Sequence, residues 1–134
     1  MVARGDAVSG ADQGDQRPIL VVDDDAVILN AVEYILSDQG CAVVIANNGR
    51  EALDRVHSAP PRLILLDMKM PVMDGWAFVA AYRDVPGPHA PIIRMTAAQD
   101  SRSRATEISA EGFIAKPFDL DDVLAIVQRH APLS

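Results

Sequence analysis

The feature that most constrains this chain is an alternation. Short runs built almost wholly of apolar residues are separated by longer segments whose apolar residues recur at helical spacing. The runs are Ile19-Leu20-Val21-Val22, Ala42 to Ala46, Leu63 to Leu66, Ile92 to Met95 and Phe113-Ile114-Ala115. So short a run with no polar alternation has no solvent-facing side and reads as a strand buried on both faces. The segments between them read as helices. Asp25 can cap one from about Ala26 to Gln39, with Ile28, Ala31, Val32 and Ile35 on its inner face and Gly40 as its stop. Asn47-Asn48-Gly49 is a turn that can cap a second, reaching about Val56. A third is expected from Gly75 to Arg83 and a fourth from about Ser101 to Ala110. The last, capped by Asp119, carries Leu120, Val123, Leu124 and Val127 as its stripe. Asp121 and Asp122 in its first turn and Arg129 in its last suit the helix dipole.

Buried strands alternating with amphipathic helices give an α/β fold, a doubly wound parallel sheet of five strands with five helices. The 134 residues suit one domain, and 49% hydrophobic content is enough for its core. Residues 1–17, rich in Gly, Asp, Gln and Ala, are expected to be a flexible arm. The domain proper is expected at 18–131, with a short tail at 132–134. Twelve Lys and Arg against nineteen Asp and Glu disfavour direct nucleic-acid binding. No apolar run approaches the ~20 residues of a membrane span, and the N-terminus lacks the apolar stretch of a secretory signal. The single Cys41 permits no internal disulfide and reads as a small buried apolar residue, which fits a cytoplasmic location.

Ligand sites in such sheets lie outside the carboxyl ends of the strands. There the sequence puts Asp23 and Asp24, Asp67, Thr96 and Lys116, five polar residues from four strands. Each alone has a plain reading as a turn residue, a strand residue or a solvated charge, and Asp25 and Asp119 keep the plain reading of helix caps. Together the five form a constellation. Three carboxylates at one edge repel one another, and a divalent cation removes that repulsion. Oxygen donors without sulfur or imidazole point to Mg2+ rather than zinc. A carboxylate beside Mg2+ can accept a phosphoryl group, with Lys116 as a fixed positive charge and Thr96 as a hydroxyl donor for its oxygens.

Four motifs resemble the receiver domains of two-component response regulators: Leu20-Val-Val-Asp-Asp-Asp25, Leu65-Leu-Asp-Met-Lys-Met-Pro-Val-Met-Asp-Gly75, Met95-Thr-Ala97 and Lys116-Pro-Phe118. The resemblance covers about Ile19 to Ala131. It implies the flavodoxin-like strand order 2-1-3-4-5 and a single-domain, chemotaxis-regulator-like architecture. It implies Asp67 as phosphoacceptor, and Asp24, Asp67 and the backbone carbonyl of Lys69 as Mg2+ ligands, with Asp23 acting mainly through water. Thr96 resembles the switch hydroxyl, Lys116 the lysine that pairs with the phosphoryl group, and Phe113 the switch aromatic. The Lys116-Pro117 peptide is often cis in such domains. The implied donor is a sensor histidine kinase, and the output is contact with another protein or drainage of phosphate. It implies a signalling protein rather than an enzyme, beyond catalysis of its own phosphotransfer and dephosphorylation.

Three features depart from the family pattern. The stretch from Thr96 to Phe113 is about two residues shorter than in typical relatives, Ser109-Ala110 stands where Gly-Ala is common, and Arg94 replaces an apolar strand residue. A charge at Arg94 is expected to snorkel or pair. His57, His89 and His130 have no metal spacing and read as surface residues. Met68, Met70, Met73 and Trp76 read as packing around the acceptor loop. The chain ends soon after the last helix, so no output domain is expected. Two other functions compete with the phosphorylation switch. One is an interaction module indifferent to phosphate. The other is a phosphohydrolase with Asp23 as nucleophile and Asp25 as its acid.

Overall fold

The computed structural model describes residues 16–97 and 112–130. Its strands are β1 (Ile19–Val22), β2 (Val43–Ala46), β3 (Leu63–Asp67), β4 (Ile92–Ala97) and β5 (Gly112–Lys116). Its helices are α1 (Ala26–Asp38), α2 (Gly49–Ser58), α3 (Gly75–Arg83) and α4 (Leu120–His130). The helix expected over residues 101–110, the shortened stretch around it and the Ser109-Ala110 turn lie outside the described residues. So do residues 1–15 of the expected arm and the tail.

The described strands are all parallel, in the order β2-β1-β3-β4-β5, as the family resemblance implies. The chain steps one way from β1 to β2 and the other way from β1 to β3, so the crevice of the switch point opens at the carboxyl ends of β1 and β3. β1 and β3 are buried along their whole lengths. Strand alternation then divides the core in two. Ile19, Val21, Leu63, Leu65, Ile93 and Met95 pack under α1 and α4. Leu20, Val22, Ile64 and Leu66 pack under α2 and α3.

The caps form as the residue types require. Asp25 accepts from the Val27 N–H at 2.9 Å and Asn48 from the Glu51 N–H at 2.9 Å. Asp119 and Asp122 exchange backbone-to-carboxylate bonds of 3.1 and 3.0 Å at the start of α4. The inner face of α1 is centred on Leu29, Val32 and Leu36, and the expected Ile28 and Ile35 flank it half-buried. The leucines win because they offer more apolar surface than Ala31. Cys41 is buried in the α1–α4 core, and burial pushes its thiol up, away from the reactive thiolate. His57 and His89 are exposed and bond to backbone carbonyls of their own turns, while His130 is half-buried at the end of α4.

One backbone feature was invisible beforehand. Val72 has a φ of 73°, and the Met73 N–H donates to the Pro71 carbonyl at 2.8 Å across it. This is a three-residue γ-turn with a β-branched residue in the left-handed region, a strained arrangement. The side chain is 83% exposed, so no packing holds it there. Val72→Asn is expected to raise stability by ~0.5–1 kcal/mol in urea unfolding, because Asn tolerates this region. A loss of stability would show that the turn favours Val.

Candidate phosphoacceptor site

The sheet delivers four of the five expected residues to one place. Asp23 follows β1, Asp67 ends β3 and Lys116 ends β5. One oxygen from each of Asp23, Asp24 and Asp67 lies within 4.8 Å of the others. The Lys116 Nζ is 2.8 Å from Asp23 Oδ2 and 3.6 Å from Asp67 Oδ1, so the ammonium bridges the outer strand to the central pair. Thr96 is inside β4, in register with Ala115 of β5. Its side chain is not among those described. The Lys116-Pro117 bond is cis.

The carboxylates are not equivalent. Asp23 is fully buried, and its oxygens are both engaged: Oδ1 accepts the Asp25 N–H at 2.9 Å and Oδ2 accepts from Lys116. Asp24 is exposed. Asp67 is buried, with Oδ1 accepting a long 3.3 Å bond from the Lys69 N–H. Burial and then the nearby Asp23 charge push the Asp67 carboxyl up to about 6, against the pull of Lys116 and the Lys69 N–H. Burial alone would pull Lys116 down, but its bond to Asp23 and the charges of Asp23 and Asp67 win, leaving it above its ordinary value. One lysine therefore fails to compensate three acids. The donors are hard oxygens, and the residual repulsion at Asp67 is the kind a divalent cation relieves, so the residues fit Mg2+.

The acceptor loop is built on close backbone approaches. The Gly75 N–H donates to the Met68 carbonyl at 3.1 Å, and a Cβ at Gly75 would lie 2.8 Å from Met68 Cα and 2.9 Å from the Asp67 carbonyl oxygen. The Gly49 N–H donates to the Met73 carbonyl at 2.8 Å, and a Cβ there would lie 2.7 Å from the same oxygen. Met68, Met70, Met73 and Trp76 pack into the α2–α3 core, as their types suggested. Neither glycine was singled out for this role from the sequence. The Asp74-Gly75 pair within the acceptor motif was the signal available. The Asp74 carboxylate caps α3 by accepting from Ala77 N–H at 2.9 Å, which leaves Gly75 as the first helical residue against the strand end.

Two expectations are revised. Asp25 spends its side chain on the α1 cap, and Asp23 has its oxygens bound by Asp25 N–H and Lys116. That arrangement opposes a nucleophile-and-acid pair on Asp23 and Asp25. Of the two outcomes expected for Arg94, snorkelling fails and pairing stands: it is 1% exposed, the largest fully buried side chain among the described residues, and its Cζ lies 5.9 Å from the centre of the Phe113 ring.

The model of the response regulator receiver domain matches residues 19–128. The chain is 33% identical over 118 residues to an uncharacterized 14.6 kDa protein of Leptolyngbya boryana, covering 86% of this chain and 90% of that one. It is 37% identical over 109 residues to the response regulator MprA of Mycolicibacterium vanbaalenii, covering 80% of this chain but 47% of that protein. Many of its relatives are thus longer than the matched region. Among solved structures, the chemotaxis response regulator CheY4 of Vibrio cholerae superposes with a TM-score of 0.77 at 33% identity, over 86% of this chain and 98% of CheY4. Among the described residues no helix is long and apolar enough to cross a membrane. Strand order, acidic edge, bridging lysine and family match agree: the chain belongs to the receiver domains of the two-component response regulators.

Proposed function

We propose that this domain is a phosphorylation switch whose acceptor is Asp67, charged by the phosphohistidine of a sensor histidine kinase. The observation that carries the reading is the Lys116 ammonium placed between Asp23 and Asp67 at the carboxyl edge of the sheet. An Asp67 carboxylate oxygen attacks phosphorus, the P–N bond breaks, and the imidazole leaves with its electron pair and takes up a proton. Lys116 offers its charge to the transferred oxygens, and Thr96 offers a hydroxyl. Asp24, Asp67 and the Lys69 carbonyl would hold Mg2+, with Asp23 fixed behind them and acting through water. The ion would supply charge neutralisation at the phosphoryl oxygens.

The phosphorylated domain acts in the cytoplasm through contacts with another protein, or as a sink for phosphate, and needs no nucleic acid or membrane of its own. Phe113 is the aromatic that reports the state of the site. Intact mass after incubation with acetyl phosphate and Mg2+ tests the reading. The wild type is expected to gain one phosphoryl group and Asp67→Asn none. An adduct that survives in Asp67→Asn, or a wild type that gains nothing, overturns it.

A further inference from the structure

Arg94 has a place in the fold that neither its type nor the proposed phosphotransfer explains. It lies in the middle of β4, in register with Leu66 of β3 on one side and Phe113 of β5 on the other. Its side chain is buried. A guanidinium keeps its charge under nearly all conditions, so burying one is costly unless something answers that charge. Burial does pull its pKa down. The Phe113 ring stands over it, with the Cζ at 5.9 Å from the centroid, while Phe113 as a residue is 41% exposed. The separation is one at which the negative face of an aromatic attracts a cation, and the ring adds that attraction to whatever else the buried guanidinium meets.

The pair also lies next to the acceptor machinery. Thr96 is two residues beyond Arg94 on β4, and Lys116 is three beyond Phe113 on β5. On the reading of Phe113 as the switch aromatic, which this inference rests on, the ring must change its seat when Asp67 is phosphorylated. We infer that Arg94 is a positioning residue for that switch: its guanidinium, seated beneath the ring, holds Phe113 outward in the resting protein. The hold makes the unphosphorylated state the favoured one and raises the phosphorylation needed to move the ring. An apolar residue at this position would fill space without attracting the ring face.

The test uses the full chain labelled with 4-fluorophenylalanine, whose three phenylalanines give separable 19F signals, with Phe113→Leu to assign one. The wild type is expected to show one sharp Phe113 signal that moves when beryllofluoride and Mg2+ are added. Arg94→Met is expected to shift or broaden that signal at rest and to complete the move at about 3- to 10-fold lower beryllofluoride. Arg94→Lys, which keeps a cation, is expected to restore most of the wild-type behaviour. A wild type that responds, with Arg94→Met responding at the same concentration, overturns the role of Arg94 and leaves the switch intact. A wild type that never responds overturns the switch reading and this inference with it. Should Arg94→Met fail to fold, the Arg94 Nε–H proton signal decides. Ring removal in Phe113→Leu is expected to move it downfield, and an unmoved signal overturns the stacking.

Discussion

Gly75→Ala is expected to destabilise the domain by about 3 kcal/mol and to slow phosphorylation of Asp67 together with it. The added Cβ would sit 2.6 Å from Met68 Sδ, 2.8 Å from Met68 Cα and 2.9 Å from the Asp67 carbonyl oxygen. Two of those neighbours are backbone, and they belong to the acceptor and the residue after it. They cannot rotate away as a side-chain tip can. Either α3 backs off, losing the Gly75 to Met68 bond and the burial of Phe78 and Val79, or β3 gives way and Asp67 moves. Gly40→Ala is the control. Gly40 has a φ of 89° and open space around its Cβ position, so its cost is the backbone conformation alone, ~1–2 kcal/mol. Urea unfolding of both variants, with the rate of adduct formation, checks the contrast. Equal losses would show that α3 absorbs the methyl group.

The second large effect concerns pH. In the fold the Asp67 carboxyl is pushed from 3.8 up to about 6, by burial first and Asp23 next. A raised folded value means that its contribution favours the fold fully below the unfolded value and is lost as pH rises through the folded one. Without metal, the wild type is expected to lose about 2–3 kcal/mol from this group between pH ~4 and pH ~7, at ~1.36 kcal/mol per unit. Asp67→Asn removes the titration. It is expected to be more stable than the wild type by about 2 kcal/mol at pH 7.5 in EDTA, and near parity at pH 4. Mg2+ should narrow the gap at pH 7.5, since a cation among the three acids favours the charged carboxyl. Thermal or urea unfolding at the two pH values, with and without Mg2+, reads this directly. An Asp67→Asn less stable than the wild type at pH 7.5 in EDTA would mean that Lys116 satisfies Asp67 better than the geometry suggests.

The fold was legible because its signals are redundant. Five apolar runs, caps at Asp25, Asn48 and Asp119, and stops such as Gly40 all agree on one alternation, and a parallel sheet flanked by helices suits it, burying the central β1 and β3 on both faces. The four charged residues at its edge were legible for a related reason. Strand ends in an α/β sheet converge, so position along the chain stood in for position in space. What failed to show was everything that depends on distance between backbones. Gly49 and Gly75 look like ordinary turn glycines until the loop carbonyls of Met73, Met68 and Asp67 are seen against them. Val72 looks like any valine until its φ is known. Arg94 was visible as an anomaly, but the choice between reaching water and stacking under Phe113 is made by a neighbouring strand whose Phe113 is nineteen residues away in sequence.

The hydrogen bond from the Gly49 N–H to the Met73 carbonyl has a mechanical meaning. It ties the first turn of α2 to the loop that follows the acceptor, with no side chain between the two backbones. Met73 from the same loop and Trp76 from the first turn of α3 pack against the core shared by α2 and α3. The loop is thus braced against the β2 side of the sheet like a beam clamped along one flank. On the other flank Asp67 faces Lys116 at 3.6 Å, and the Arg94–Phe113 stack stands on β4 and β5. The loop after Asp67 is thus held to α2 by a backbone bond, which no side-chain truncation at either end would release.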